Sequence, residues 1–174
     1  MIPENIYQKW LFFINHFNMM ANRYRQMSFA AGTGNGDMKG FAKFFDWESH
    51  ERWNTHDWLA KTLGIAGREV KLTTVTLPNE NFTALEPMVT AIKGLETATL
   101  NEIKAAIDIA VVAKDYYSEN VFRKLFTCAV EEHKEVSDVH KKVLQNGSDV
   151  AAMQDYDHWL FNQYWREKKY LSYD

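Results

Sequence analysis

Two glutamates stand where the surrounding sequence favours apolar side chains. Glu96 interrupts an apolar stripe that comprises Leu85, Val89, Ile92, Leu100, Ile103, Ile107 and Ala110. Glu132 interrupts a second stripe that comprises Val121, Leu125, Cys128, Val136, Val139 and Val143. The three- and four-residue spacing predicts helix faces directed into a core. Because a buried carboxylate is costly without a partner, and because two helices that each bring one glutamate into a bundle are typical of a metal site, these residues are candidate ligands.

Composition restricts the class of protein. The 174 residues are 46% hydrophobic and 25% charged, which predicts one soluble globular domain with a sizeable core. The net charge of −3 favours neither nucleic acid nor an anionic membrane as a partner. A single cysteine, Cys128, cannot form an internal disulfide, and it predicts a buried thiol in a reducing, cytoplasmic setting. No signal peptide and no run long enough to span a membrane are apparent.

Glycines and prolines divide the chain into helices and breaks. We expect a single domain over residues 1–174, with helices at about 3–31, 37–63, 83–113, 118–145 and 148–168. Asp37 is the expected N-cap of the second helix, and Gly64 is its expected end. Aromatic residues on the fifth helix predict packing against other subunits.

The non-helical segment from residue 64 to about 82 is unusually long for a compact domain. Such a segment is typical of a crossover that travels the length of a bundle, so that the helices on either side run parallel. The predicted fold class is therefore all-α, a four-helix bundle with a long crossover between helices 2 and 3 and a short fifth helix.

Three local segments, together with this architecture, carry a resemblance over nearly the whole chain. They are Met38–Phe45 with the following Glu48–Glu51, Gly94–Thr97, and Val130–Glu135. They resemble the second, third and fourth helices of ferritins. The resemblance implies a cage of 24 subunits that stores iron. Active family members oxidise Fe(II) at a di-iron site built from a glutamate on the first helix, Glu-x-x-His on the second, a glutamate on the third, and Glu or Gln on the fourth.

Position by position, the resemblance keeps part of that site and alters the rest. Glu96 and Glu132 match the ligands on the third and fourth helices, and Tyr24 matches a tyrosine beside the family site. The altered positions are Phe17 on the first helix, and Arg52 and Thr55 on the second. No Glu-x-x-His occurs in the chain.

Arg52 lies on the apolar face of the second helix and is therefore expected to point inward. We expect its guanidinium to occupy the space of the lost metal ions and to pair with Glu96 and Glu132, and with Glu48 one turn earlier. A metal site relocated to Glu48, Glu96 and Glu132 is the alternative.

Two further groups extend the comparison. Glu51, Glu131 and Glu135 match acidic positions that bind iron near the inner surface of some ferritins, although a solvated acidic face would have the same pattern. At the start of the fourth helix, Phe122 and Leu125 replace the acidic lining of the family's three-fold channel. Arg123 and Lys124 lie beside them, so we expect an apolar or basic pore that slows the passage of cations.

The leading interpretation is an iron-binding and iron-storing cage subunit with absent or impaired ferroxidase activity, rather than an efficient enzyme. Its iron would be weakly or surface-bound, no haem is expected, and it would form a homo-oligomer alone or co-assemble with a catalytic ferritin subunit. Two alternatives stay open. One is an active ferroxidase with rearranged ligands at Glu48, Glu51, Glu96 and Glu132. The other is a ferritin-fold cage with a protective or structural role that does not involve iron.

Overall fold

Helices account for most of the computed structural model, which describes residues 2–33, 37–77 and 82–165, except for the side chain of Trp165. They are α1 (Glu4–Thr33), α2 (Lys39–Ile65), α3 (Leu85–Val112), α4 (Tyr116–Asn146) and α5 (Val150–Trp165). All five predicted helices are present, and their ends lie within two residues of the predicted ones, apart from the predicted end at 168, which lies outside the described residues. The described ranges contain no strand and no helix with the length and apolar composition that a membrane span requires.

Two compact units divide the chain, and the expectation of a single domain stays a prediction. The first unit joins Met1–Lys9 to Glu86–Gln145, so it contains α3, α4 and the start of α1. The second joins Trp10–Leu85 to Asn146–Asp174, so it contains the rest of α1, α2, the crossover and α5.

In the first unit, α3 and α4 run antiparallel. The hydroxyl of Thr90 lies 3.3 Å from Nε2 of His140, whereas the hydroxyl of Thr97 lies 3.1 Å from Nε2 of His133. Between these two contacts the position on α3 moves from Thr90 to Thr97, while the position on α4 moves back from His140 to His133. The two helices therefore run in opposite directions. Apolar residues at helical spacing on α4 are buried, as the stripe predicts, including Val136 and Val139.

In the second unit, α1 and α2 are also antiparallel and are joined by side-chain to backbone hydrogen bonds. The hydroxyl of Ser49 donates to the carbonyl of Ala21 over 2.8 Å, and Nδ1 of His56 lies 2.8 Å from the carbonyl of Ile14. The unit's interior is aromatic. Its largest fully buried residues include Trp10, Phe13, Phe17, Tyr24, Phe41, Phe44 and Phe45.

The residues predicted to cap α2 and to end it, Asp37 and Gly64, are both wrong. The N-cap is Met38, which makes no side-chain capping bond, whereas Asp37 adopts a left-handed φ of 59°. At the other end the helix continues past Gly64. It closes where Gly67, with φ of 74°, donates to the carbonyl of Gly64 and Arg68 donates to that of Leu63. This paired arrangement is a Schellman motif, so the glycine that ends the helix is the one at the left-handed position.

Within the chain, α5 packs against α2. Its aromatic residues contact α2 of the same chain: the ring of Tyr156 lies 5.8 Å from that of Phe41, and the ring of Tyr164 lies 5.5 Å from that of Phe44. Trp159 is 54% exposed on the same helix, and the expectation that α5 also contacts other subunits stays a prediction.

Candidate functional site

Arg52 is the central feature of the second unit. Its side chain is 0% exposed, and Nη2 lies 2.9 Å from Oε2 of Glu48, whose side chain is 2% exposed. The four-residue separation on one helix places these two side chains on the same face. The prediction that Arg52 points inward and pairs with Glu48 is therefore confirmed, and α2 alone supplies both partners.

An aromatic ring provides further stabilisation for this buried charge. The guanidinium carbon of Arg52 lies 5.1 Å from the centroid of the Tyr24 ring, within the range of a cation–π interaction. Tyr24 is itself fully buried and contacts the ring of Phe45 at 6.5 Å. The residue that resembles the tyrosine beside the family's metal site thus interacts with a guanidinium in this chain.

The other two altered positions are also buried. Phe17 is 0% exposed and carries no atom that could ligate a metal ion. Thr55 is 1% exposed, and its hydroxyl donates to the backbone carbonyl of Glu51 over 3.0 Å. At the three positions where the resemblance implies ligands from the first two helices, this chain therefore has a phenyl ring, a cation and a hydroxyl bonded to its own helix.

Glu96 and Glu132 are buried in the first unit, as their stripes predict. Glu96 is 1% exposed and Glu132 is 6% exposed. The hydrogen bond between Thr97 and His133, their immediate neighbours in the chain, places them at the same level of the α3–α4 pair. Their pairing with Arg52 stays a prediction.

The remaining acidic residues differ in exposure. Glu51 is 3% exposed, so its interpretation as part of a solvated acidic face is wrong. Glu131 is exposed and Glu135 is partly exposed on α4. Acidic residues that look alike in sequence thus occupy different environments.

The single cysteine also differs from the prediction. Cys128 was expected to be buried, and it is partly exposed.

In the part of the chain that the structure describes, no three histidine, cysteine, aspartate or glutamate side chains are grouped so that they could hold a metal ion. The assignment of metal ligands therefore stays a prediction. It covers Glu48, Glu51, Glu96, Glu131, Glu132 and Glu135.

Of the apolar or basic pore predicted at the start of α4, the apolar lining is wrong, and a basic lining stays a prediction. Phe122 is 0% exposed and Leu125 is 1% exposed, so both contribute to the interior of the chain. The exposed side chains nearby are charged, and Nε of Arg123 lies 2.9 Å from Oε1 of Glu119.

Sequence reasoning missed a half-open cavity of about 370 Å³ in the second unit. Its lining residues are Ala21, Asn22, Arg25, Ser49, His50 and Trp53. Arg25 pairs with Asp46, and Nδ1 of His50 lies 2.8 Å from the carbonyl of Asp46. The sequence signal was a set of polar residues with helical spacing on both α1 and α2, but only the pairing of the two helices forms the cavity.

Sequence reasoning also assigned no role to the histidines of α4. Besides its contact with Thr90, His140 has a pKa lowered by partial burial and by the nearby positive charge of Lys93, although Glu86 acts in the opposite direction. The imidazole of His140 is therefore held in its neutral form to lower pH than usual.

Comparison with known proteins decides the family. A model of the ferritin-like domain matches residues 14–145, which is most of the chain. The chain belongs to the ferritin family. No similar sequence was found among curated proteins.

Solved structures show the same fold. This ferritin superposes on the open-pore ferritin of the hyperthermophilic archaeon Archaeoglobus fulgidus with a TM-score of 0.87, at 21% identity over 92% of this chain and 97% of the other. An engineered closed form of that protein gives a TM-score of 0.84 at 22% identity, over 92% of this chain and 96% of the other. A humanised archaeal ferritin gives 0.85 at 19% identity, over 92% and 97%. The predicted fold class, a four-helix bundle with a crossover and a short fifth helix, is confirmed.

Proposed function

We propose that this ferritin chain is an iron-binding and iron-storing subunit that lacks a fast ferroxidase centre. The observation that carries the proposal is the buried Arg52–Glu48 ion pair, 2.9 Å long, under the ring of Tyr24. By resemblance, Arg52 occupies a ligand position of the ferroxidase site, so a fixed positive charge stands where the family binds Fe(II).

Electrostatics and ligand chemistry support the same conclusion. Fe(II), as substrate, needs oxygen or nitrogen donors with free electron pairs, and a guanidinium offers none at any ordinary pH. Arg52 also repels a divalent cation and engages the nearest α2 carboxylate, Glu48. Phe17 and Thr55 do not replace the missing donors, because one is a hydrocarbon and the hydroxyl of the other is bonded to the backbone.

Iron would instead be held by carboxylates that solvent can reach. Glu131 and Glu135 are four residues apart on α4, so they share a helix face, and neither is fully buried. We propose that they capture iron at low affinity and start mineral growth inside a homo-oligomeric cage of 24 subunits. Such a cage forms alone or together with a catalytic ferritin subunit that oxidises the iron.

The test is stopped-flow oxidation of Fe(II) by oxygen, followed by ferric absorbance, on the purified assembly. The natural protein is compared with a variant that carries Phe17→Glu, Arg52→Glu and Thr55→His together. We expect slow oxidation by the natural protein and a rapid phase, proportional to subunit concentration, in the variant. Trp53→Glu is the control, because it adds a carboxylate to α2 at a position that is 45% exposed.

The outcomes separate the alternatives. A rapid phase in the natural protein contradicts the proposal and favours a ferroxidase with rearranged ligands at Glu48, Glu51, Glu96 and Glu132. Failure of the natural assembly to retain any iron after slow oxidation favours a cage that does not store iron. If the triple variant loses its helical circular dichroism signal, the double substitution Arg52→Glu with Thr55→His removes the buried cation with less disturbance and should show the rapid phase.

A further inference from the structure

The N-terminus of α2 is capped by a residue from the other end of the chain. Its own N-cap, Met38, makes no side-chain capping bond. Instead, the backbone N–H of Phe41 donates to Oδ1 of Asp157 on α5, over 2.9 Å. The first N–H groups of any helix lack partners within the helix, and a carboxylate there also interacts favourably with the helix dipole. Asp157 therefore does for α2 what a local N-cap residue would do.

The glycine at position 40 allows the backbone of α5 to come close to the first turn of α2. A Cβ atom at Gly40 would lie 1.8 Å from the backbone oxygen of Asp157, a separation that no side chain tolerates. Around this point the two helices pack closely. Phe44 contacts Tyr164, and Leu160 is fully buried.

The surface beneath α5 is apolar. Phe41 and Phe44 are both 0% exposed, and each contacts a tyrosine of α5. Both also contact Phe45, whose ring lies 6.5 Å from that of Tyr24. The same aromatic layer therefore extends from α5 to the ring that covers Arg52.

We infer that α5 is a lid over the first turns of α2, held by the Asp157 carboxylate and seated against Gly40. Its hinge is the turn at residues 146–149, where Gly147 has a left-handed φ of 51°. When the lid opens, the first turn of α2 loses its cap, and Phe41 and Phe44 become accessible as an apolar surface.

The test is amide hydrogen exchange by mass spectrometry on the intact assembly, with binding of an apolar dye as a second readout. Asp157→Ala should raise exchange in the peptide 37–47 roughly 5- to 30-fold, the range expected when a helix loses its N-cap. Dye fluorescence should rise as well. Asp157→Asn, which keeps an acceptor oxygen but loses the charge, should give a smaller increase.

Matched substitutions separate the lid from general destabilisation. Asp155→Ala removes an exposed carboxylate from α5, and Gly64→Ala changes a glycine of α2 whose added Cβ would have no neighbour within 4 Å. Both should leave peptide 37–47 unchanged, whereas Gly40→Ala should open the lid although alanine favours helix formation. The inference is overturned if Asp157→Ala behaves like Asp155→Ala, or if exchange rises equally over α1.

Discussion

At the residue scale, the resemblance implies a carboxylate ligand at position 52, whereas this ferritin has a buried positive charge there. Arg52 is fully buried and needs compensation, which Glu48 and the ring of Tyr24 supply. Removing one member of a buried ion pair is far more damaging than removing an exposed one, because the remaining charge keeps its desolvation cost. The chain contains an exposed pair with the same geometry, so this difference can be measured.

We expect Arg52→Ala to lower the free energy of unfolding by about 3–5 kcal/mol, since it leaves Glu48 buried without the guanidinium. The control is Arg123→Ala. Arg123 and Glu119 are also four residues apart and 2.9 Å from each other, but Arg123 is 57% exposed. That substitution should cost less than about 1 kcal/mol. Chemical denaturation of both variants measures the difference, and equal losses would show that Arg52 is not stabilised by its buried pairing.

At the element scale, two helices end in the same way with different residues. After the end of α2, Gly67 has a φ of 74°, and after the end of α3, Lys114 has a φ of 55°. In each motif the residue two positions beyond the last helical residue occupies the left-handed region, and the next residue donates back into the last turn. A side chain is costly in that region, so the lysine is strained where the glycine is not.

Lys114→Gly should therefore raise the free energy of unfolding by about 0.5–1 kcal/mol, because it relieves strain at the end of α3. The reverse change, Gly67→Ala, should lower it by about 1 kcal/mol at the end of α2. Thermal unfolding of the two variants gives both values. If both substitutions shift stability in the same direction, backbone conformation is not the cause.

The amide side chain of Asn15 joins α1 to the crossover. Nδ2 of Asn15 on α1 donates to the carbonyl of Lys71 over 3.0 Å, and its Oδ1 accepts from the N–H of Thr73 over 2.7 Å. One side chain thus satisfies two backbone groups of a segment that has no regular structure, much as a neighbouring strand would.

Asn15→Ala should make residues 66–77 more sensitive to proteolysis, because two hydrogen bonds worth about 1 kcal/mol each are lost. Asn22→Ala is the control, since within the described residues the Asn22 amide bonds to Asn18 on the same helix and not to the crossover. Limited proteolysis followed by mass spectrometry locates the cleavage. Equal cleavage of the two variants would mean that other contacts hold the crossover.

At the scale of the whole molecule, the proposed storage of iron assigns its capture to Glu131 and Glu135, carboxylates of α4 that are not fully buried. Glu131→Gln combined with Glu135→Gln should lower the iron retained per subunit after slow aerobic loading, because the amides lack the negative charge that attracts Fe(II). Asp138→Asn, on an exposed position of the same helix, is the control. Iron is measured after gel filtration, and light scattering checks that the assembly is unchanged. Unaltered retention would place iron binding elsewhere.

The sequence by itself determined the features that depend on helical periodicity. Apolar stripes, turn residues and the long break after α2 predict five helices and a crossover, and the comparison confirms that fold. The same periodicity places Arg52 and Glu48 on one inward face, because residues four apart in a helix lie on one side. These predictions succeeded since each depends on residues close together in the chain.

Only the tertiary structure decided the contacts between distant segments. Asp157 caps α2 from 116 residues away, and no local pattern relates it to Phe41. The burial of Glu51, Phe122 and Leu125 likewise depends on which neighbouring helix covers them. Even the glycine that terminates α2 is Gly67 rather than Gly64, because a helix ends where the backbone turns left-handed. Periodicity identifies the faces of a helix, whereas packing determines which faces exclude water.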